Sequence, residues 1–159
     1  MTHTEAFPKS EKLVSRKLID RLFSGRGTKS MSAFPLRLVY MCLDKDDEAL
    51  YVKGRTTAMT DAQIMISVPK RCFKHAVDRN RVKRQVREAY RRHRDLFSLA
   101  ENQYLAMSFI WMEGKHHESE EVERKVMNLL KRMNERLGEG AEKDLPKGDE
   151  STGMKGGND

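Results

Sequence analysis

The stretch from Lys70 to Arg94, KRCFKHAVDRNRVKRQVREAYRRHR, decides how the rest of the chain is read. It holds eleven Lys or Arg residues against two acids, Asp78 and Glu88, a formal +9. Projected at about 100° per residue, the part from Arg79 onward separates into two faces. Val82, Val86, Ala89, Tyr90 and His93 fall on one side, at the spacing of a buried helical stripe. Arg84, Arg87, Arg91 and Arg94 line up on the other. Asp78 is placed as the N-cap, its carboxylate accepting from the first free N–H groups. The spacing predicts an amphipathic helix whose apolar back docks on a core and whose arginine-dense front stays in water.

Three explanations compete for that front. A solvated charged face is the ordinary fate of a surface helix, but such faces mix signs and gain i,i+4 pairs by doing so. Here four arginines repel one another, and a polyanion would relieve that cost. A membrane-surface or calmodulin-type helix needs a bulky apolar face, whereas this stripe of Val, Val, Ala, Tyr and His suits packing on a sheet. Nucleic acid fits the electrostatic footprint best. The dominance of arginine agrees, because its planar fork makes bidentate phosphate contacts and stacks on bases.

Arg79-Asn80-Arg81-Val82-Lys83-Arg84, preceded by Ala76-Val77 and followed by Arg87-Glu88-Ala89-Tyr90, resembles the signature of the bacterial ribonuclease P protein subunit. Ser67-Val68-Pro69-Lys70-Arg71 fits the family's approach to it, although Cys72-Phe73-Lys74-His75 stands where a glycine is usual. The resemblance covers about residues 9 to 137. It implies an αβββαβα fold with a left-handed crossover through the basic helix, a hand that pattern alone does not suggest. It also implies a protein that binds the catalytic RNA subunit and holds the single-stranded 5′ leader of precursor tRNA. By that resemblance Arg79, Asn80, Arg81, Lys83, Arg84, Arg87 and Arg91 contact the RNA subunit, and the helix N-terminus after Asp78 offers N–H groups to phosphate. Ile19, Phe23, Tyr40, Lys70 and Arg71 line the leader cleft. Ile19 stands where a first aromatic is usual, so stacking there gives way to apolar contact. Val39 takes the place of Tyr40 if the strand register shifts by one residue. The resemblance implies that the Mg²⁺ of the reaction is held by the RNA subunit, not by a dedicated protein site.

The chain has 159 residues, of which 38% are hydrophobic and 35% charged. That suits one domain with a modest core. The net +7 is uneven: residues 1–97 carry 22 basic and 11 acidic residues, and residues 98–159 carry 9 and 13. A polyanion should therefore meet the first two-thirds. Cys42 and Cys72 lack CxxC spacing and read as reduced thiols in a cytoplasmic protein. No apolar run reaches the length of a membrane span, and Met1-Thr2-His3-Thr4-Glu5 lacks a secretory apolar region.

Along the chain, residues 1–14 read as an extended arm. Ser15 reads as an N-cap and Gly25 as the stop of a short helix, with Leu18, Ile19, Leu22 and Phe23 on one face. For Leu18 and Leu22 plain core packing suffices. Gly25 to Ser30 reads as a flexible basic loop. Phe34 to Cys42 alternates as a half-buried strand, with Leu36, Leu38, Tyr40 and Cys42 opposite Arg37, Val39 and Met41. Asp44 to Asp47 is a solvated turn without the glycine and terminal Glu of a calcium loop. Ala49 to Arg55 is a weaker strand interrupted by Gly54. A strand at Ile64 to Val68 leads into the basic stretch, and another runs from Tyr104 to Trp111. His116 and His117 lack a nearby metal partner. Val126, Leu129, Leu130, Met133 and Leu137 mark a last helix, whose mixed outer face reads as scaffold. Residues 138–159 are Gly, Lys, Asp and Glu with little apolar content, a disordered tail.

These readings predict an α+β domain over 15–137, with a small four-stranded sheet. The expected activity is removal of the 5′ leader in tRNA maturation, with the RNA subunit as the endonuclease. No carboxylate cluster for two metals and no acid–base pair stands out, so the chain itself is expected to be non-catalytic. A DNA-binding regulator with the 79–94 helix in a major groove is the alternative. It requires a short helix just upstream at helix-turn-helix spacing, where a strand is predicted, so DNA is not an expected partner, and neither is a membrane. A protein-only nuclease is disfavoured by the missing carboxylates.

Overall fold

The computed structural model describes residues 9–57 and 60–142. Its helices are α1 (Arg16–Leu22), α2 (Ala76–His93) and α3 (Ser119–Glu142). Its strands are β1 (Lys29–Ala33), β2 (Leu36–Asp44), β3 (Tyr51–Val52), β4 (Arg55–Thr56), β5 (Ala62–Ser67) and β6 (Gln103–Trp111). The main sheet has the order β1-β2-β6-β5, and β3 and β4 form a separate hairpin. β6 runs antiparallel to β2 and parallel to β5. A parallel neighbour needs a long crossover, and α2 supplies it.

Strand alternation divides the core between the two faces of this sheet. Leu36, Leu38, Tyr40, Leu105, Met107, Phe109 and Trp111 pack with Val82, Val86, Ala89 and Tyr90 of α2 and with Val122, Val126, Leu129, Leu130 and Met133 of α3. Val39, Met41, Leu43, Tyr104 and Ala106 turn to the other face, under Leu18 and Leu22 of α1. The predicted stripes of α2 and α3 are therefore the buried ones, with His93 half-buried at the end of its stripe and paired to Glu123 at 2.6 Å. Ser15 caps α1, its hydroxyl accepting from the Leu18 N–H.

The αβββαβα order holds for the main sheet, but one strand is not the expected one. Ala49–Arg55 contributes only the β3–β4 hairpin, turned by Lys53 and Gly54 at positive φ. The third strand ahead of α2 is β1, whose first two residues, Lys29 and Ser30, were expected in a loop. Its polar residues hid it: Ser30 and Ser32 are exposed on an edge strand, and Met31 alone is buried, beside Leu38. The N-terminal arm is also part of the fold. Leu13 is buried with α1, and its N–H donates to the Ile64 carbonyl at 2.8 Å. This covers the open edge of β5, which would otherwise present unpaired backbone. Residues 1–8 lie outside the described residues. At the other end α3 continues past Gly138 to Glu142, so residues 138–142, expected in the tail, are helical; residues 143–159 lie outside the described residues.

α2 starts three residues earlier than the spacing predicted. Asp78 sits in its first turn, and His75 occupies the N-cap position without a side-chain hydrogen bond. Other contacts hold the entry. Arg79 Nη1 donates to the Phe73 and Lys74 carbonyls at 2.8 and 2.9 Å. The buried Phe73 ring stacks on His116 at 4.4 Å, and His116 pairs with Asp78 at 3.1 Å. The segment at 72–75 is thus an anchored plug.

Two substitutions test this account. Phe73→Ala should lower stability by about 3–5 kcal/mol, the range for deleting a buried ring; an unchanged denaturation midpoint would show that the plug does not hold α2. Val86→Asp should abolish the cooperative thermal transition, because it places a carboxylate in a fully buried site.

Candidate nucleic-acid interface

The roll of α2 turns Asn80, Arg84, Arg87 and Arg91 away from the core, within an arc of about 60°. Asn80, Arg81 and Arg84 are exposed, and Lys83 and Arg87 are half-buried. Among the described residues no carboxylate pairs with Arg81, Lys83, Arg84 or Arg87. These four cations, with Asn80 beside them, form an open basic front along about two turns of helix.

The rest of the predicted row has other duties. Arg91 grips Glu88 through two hydrogen bonds, at 2.6 and 3.2 Å. Arg94 is ion-paired with Glu11 of the N-terminal arm, and Arg79 caps the two carbonyls ahead of the helix. Arg91 and Arg94 therefore do not stand among mutually repelling, fully wet arginines as the projection suggested. Their partners lie one turn away and across the chain, and the second kind is invisible to a helical projection. The Arg91 hydrogen bond holds the Glu88 carboxyl below its usual range. That ion pair contributes above the ordinary carboxylate pKa and is lost as pH falls through the lowered value. His93, with Arg92, does the same for Glu123.

The second candidate surface lies on the opposite face of the sheet, beyond α1. Exposure there rises along β2 from the buried Met41 and Val39 to the exposed Arg37. In register, Val39 and Met65 flank Ser108, and Arg37 and Ser67 flank Ile110. Met65 and Ile110 are half-buried, as is Ile19 of α1, and all three border the same core. Phe23, the C-cap of α1, is 49% exposed. Beside α1 this face is therefore a candidate groove of half-buried apolar residues, with Arg37 exposed on β2 and Phe23 exposed at the end of α1. Lys70 and Arg71, both exposed, follow β5 in the connection to α2.

Tyr40 does not belong to this groove. It is 2% exposed and points to the opposite face, into the core beneath α2 and α3. The one-residue alternative, Val39, is the strand residue on the groove side. Arg37, Met65, Ser67 and Ile110 were not singled out from sequence. Alternation assigned Arg37 to the face of Val39, but only the packing of α1 reveals which face stays open.

His116 and His117 are engaged by carboxylates, His117 by Glu113 at 2.7 Å and Glu121 at 3.6 Å. Among the described residues no group of three His, Cys, Asp or Glu is placed to hold a metal ion. No described helix is long and apolar enough to cross a membrane.

Comparisons with known proteins place the chain in a family. The family model described as Ribonuclease P matches residues 7–134. A ribonuclease P protein component of Porphyromonas gingivalis is 36% identical over 133 residues, covering 82% of this chain and 88% of that protein. The component from Chlorobium phaeobacteroides is 36% identical over 113 residues, 70% of each chain. The solved RNase P protein from Thermotoga maritima, in complex with 1-(4-fluorophenyl)-2-thiourea, shares the fold with a TM-score of 0.52 at 22% identity, over 74% of this chain and 96% of that one. With matches of this extent over the same residues that build the sheet and the basic helix, the chain belongs to the ribonuclease P protein family.

Proposed function

We propose that this chain is the RNA-binding subunit of a cytoplasmic ribonuclease P. It docks on the catalytic RNA subunit through α2 and holds the 5′ leader of precursor tRNA in the groove beside α1, promoting endonucleolytic removal of the leader. The observation that carries the reading is the open front of Arg81, Lys83, Arg84 and Arg87, unpaired among the described residues on a helix whose back is fully buried. Arginine and lysine so placed suit phosphates, and Asn80 adds a neutral hydrogen-bonding group among them. Arg79 and Arg91 lie on the same helix and belong to the same proposed interface. Phe23 offers a ring on which a leader base can stack, and Ile19 apolar contact. Lys70 and Arg71 lie between the two surfaces and suit the backbone of a strand passing from one to the other.

In this reading the chain contributes no catalytic group. Among the described residues its carboxylates do not gather into a group that could hold a metal ion, and the Mg²⁺ of the hydrolysis belongs to the RNA subunit. The DNA-binding alternative has less support: α2 follows strand β5 and a loop rather than a short helix at helix-turn-helix spacing.

Binding to the RNA subunit should depend steeply on salt. If about six phosphates are neutralised, affinity falls roughly 10³-fold between about 50 and 200 mM salt. Arg84→Ala with Arg87→Ala should reduce the log–log slope by about 2 while leaving thermal stability near wild type. An unchanged slope would place the interface elsewhere. For the groove, Phe23→Ala should weaken binding of leader-bearing tRNA to the holoenzyme by about 1–3 kcal/mol, with mature tRNA unaffected. Equal loss for both tRNAs would remove the leader groove. Cleavage of precursor tRNA by the purified chain without RNA would overturn the non-catalytic reading.

A further inference from the structure

The outer face of α3 carries an excess of positive charge beyond its first two turns. Of its first acids, Glu120 is exposed, Glu123 accepts from His93 at 2.6 Å and pairs with Arg92 at 3.5 Å, and Glu121 faces His117. From residue 124 to 137 the helix carries Arg124, Lys125, Lys131, Arg132 and Arg136 against the single acid Glu135. Arg124, Lys131 and Arg136 are exposed and Lys125 is half-buried, while the stripe from Val122 to Met133 faces the core. Among the described residues, none of these four cations has an ion-pair partner. Arg132 bonds only to neutral groups, the Ser32 carbonyl at 2.9 Å and the Asn128 side-chain oxygen at 3.0 Å, which lay it along the edge strand β1. Twelve residues separate Arg124 from Arg136, a span of about 18 Å along the helix.

We infer that this face of α3 is a second RNA-binding surface, taking the phosphate backbone of a segment of the RNA subunit separate from the one on α2. The inference rests on the function proposed above. Separation follows from the seam between the two helices, where Glu88, Arg92, His93 and Glu123 neutralise one another. The two basic faces thus flank a strip without net positive charge. An RNA backbone is favoured over other partners by what the face lacks. No large hydrophobic residue of α3 is exposed among the described residues. A protein interface needs buried anchors, and a membrane-surface helix needs an apolar side to insert. A surface with charge alone matches a partner whose affinity comes from neutralised phosphates.

The test uses the full chain and its transcribed RNA subunit. Replacing Arg124, Lys131 and Arg136 together by Gln keeps helix-forming residues at exposed sites, so the thermal midpoint should stay near wild type. Affinity should fall roughly tenfold at about 150 mM salt, with the log–log slope shallower by about 2–3. In the unaltered protein, bound RNA should shield Lys125 and Lys131 from acetylation, read by mass spectrometry. Lys53, on the turn between β3 and β4, should stay reactive. Wild-type affinity and slope for the triple variant, or unshielded Lys125 and Lys131, would overturn the inference. If Arg84→Ala with Arg87→Ala still weakens binding in that case, the proposed function stands without a second surface. If neither set of substitutions alters RNA binding, the proposed function fails as well.

Discussion

Burial of Val82, Val86, Ala89 and Tyr90 against the sheet fixes the roll of α2 about its axis, and with it the direction of every arginine the helix carries. Each of the larger residues is worth about 1.5–3 kcal/mol when fully buried, and all four are at most 3% exposed. Turning the helix by one residue would exchange this stripe for Lys83, Arg87 and Arg91, whose burial without partners costs far more than the stripe contributes. The helix cannot swing away either, because β5 and β6 are parallel and the chain must cross the sheet between them. An arginine front directed at solvent is therefore a consequence of packing behind it.

That front is shaped further by where the acids lie. Glu88 gathers Arg91 and Arg92 at the C-terminal half of α2, Glu123 reaches over from α3, and Glu11 takes Arg94. At the N-terminal half the only acid, Asp78, turns toward His116 and away from the front. The uncompensated charge is thus concentrated over Arg81 to Arg87, next to the anchored entry at Phe73. Contacts that look like isolated surface ion pairs, each worth little by itself, decide which cations remain available to a polyanion.

Much of this could be read in the sequence because it is local. The α2 and α3 stripes, the Ser15 cap and strands β2, β5 and β6 follow from periodicities of 3.6 and 2 within single elements. The misread parts depend on partners far along the chain. β1 is too polar to signal itself and exists because β2 offers it a ladder. Asp78 resembles an N-cap until the stack of Phe73 on His116, 43 residues away in sequence, starts the helix earlier. Arg91 and Arg94 look alike on a helical wheel, yet one is held within α2 and the other by the N-terminal arm. Tyr40 carries the aromatic expected of a leader contact, but alternation places it with Leu36 and Leu38, and only the docking of α2 and α3 shows that this is the covered side.

The groove beside α1 has an origin in simple lengths. β2 has nine residues and spans about 30 Å, while α1 has seven and is about 10 Å long, with a similar width. Whatever its direction, α1 covers only part of the face that β2 and β6 present. The covered part holds Met41, Leu43, Tyr104 and Ala106, all buried, and the sheet continues past it to Arg37, Ser67 and Ile110. On the other side α2 and α3, with 18 and 24 residues, leave no such gap over the two central strands. The sheet therefore offers its own surface on the α1 side and a helix surface on the other. A strand of nucleic acid that used both would have to pass around an edge of the sheet. The connection from β5 to α2 joins the two sides, and it is there that Lys70 and Arg71 place two exposed charges.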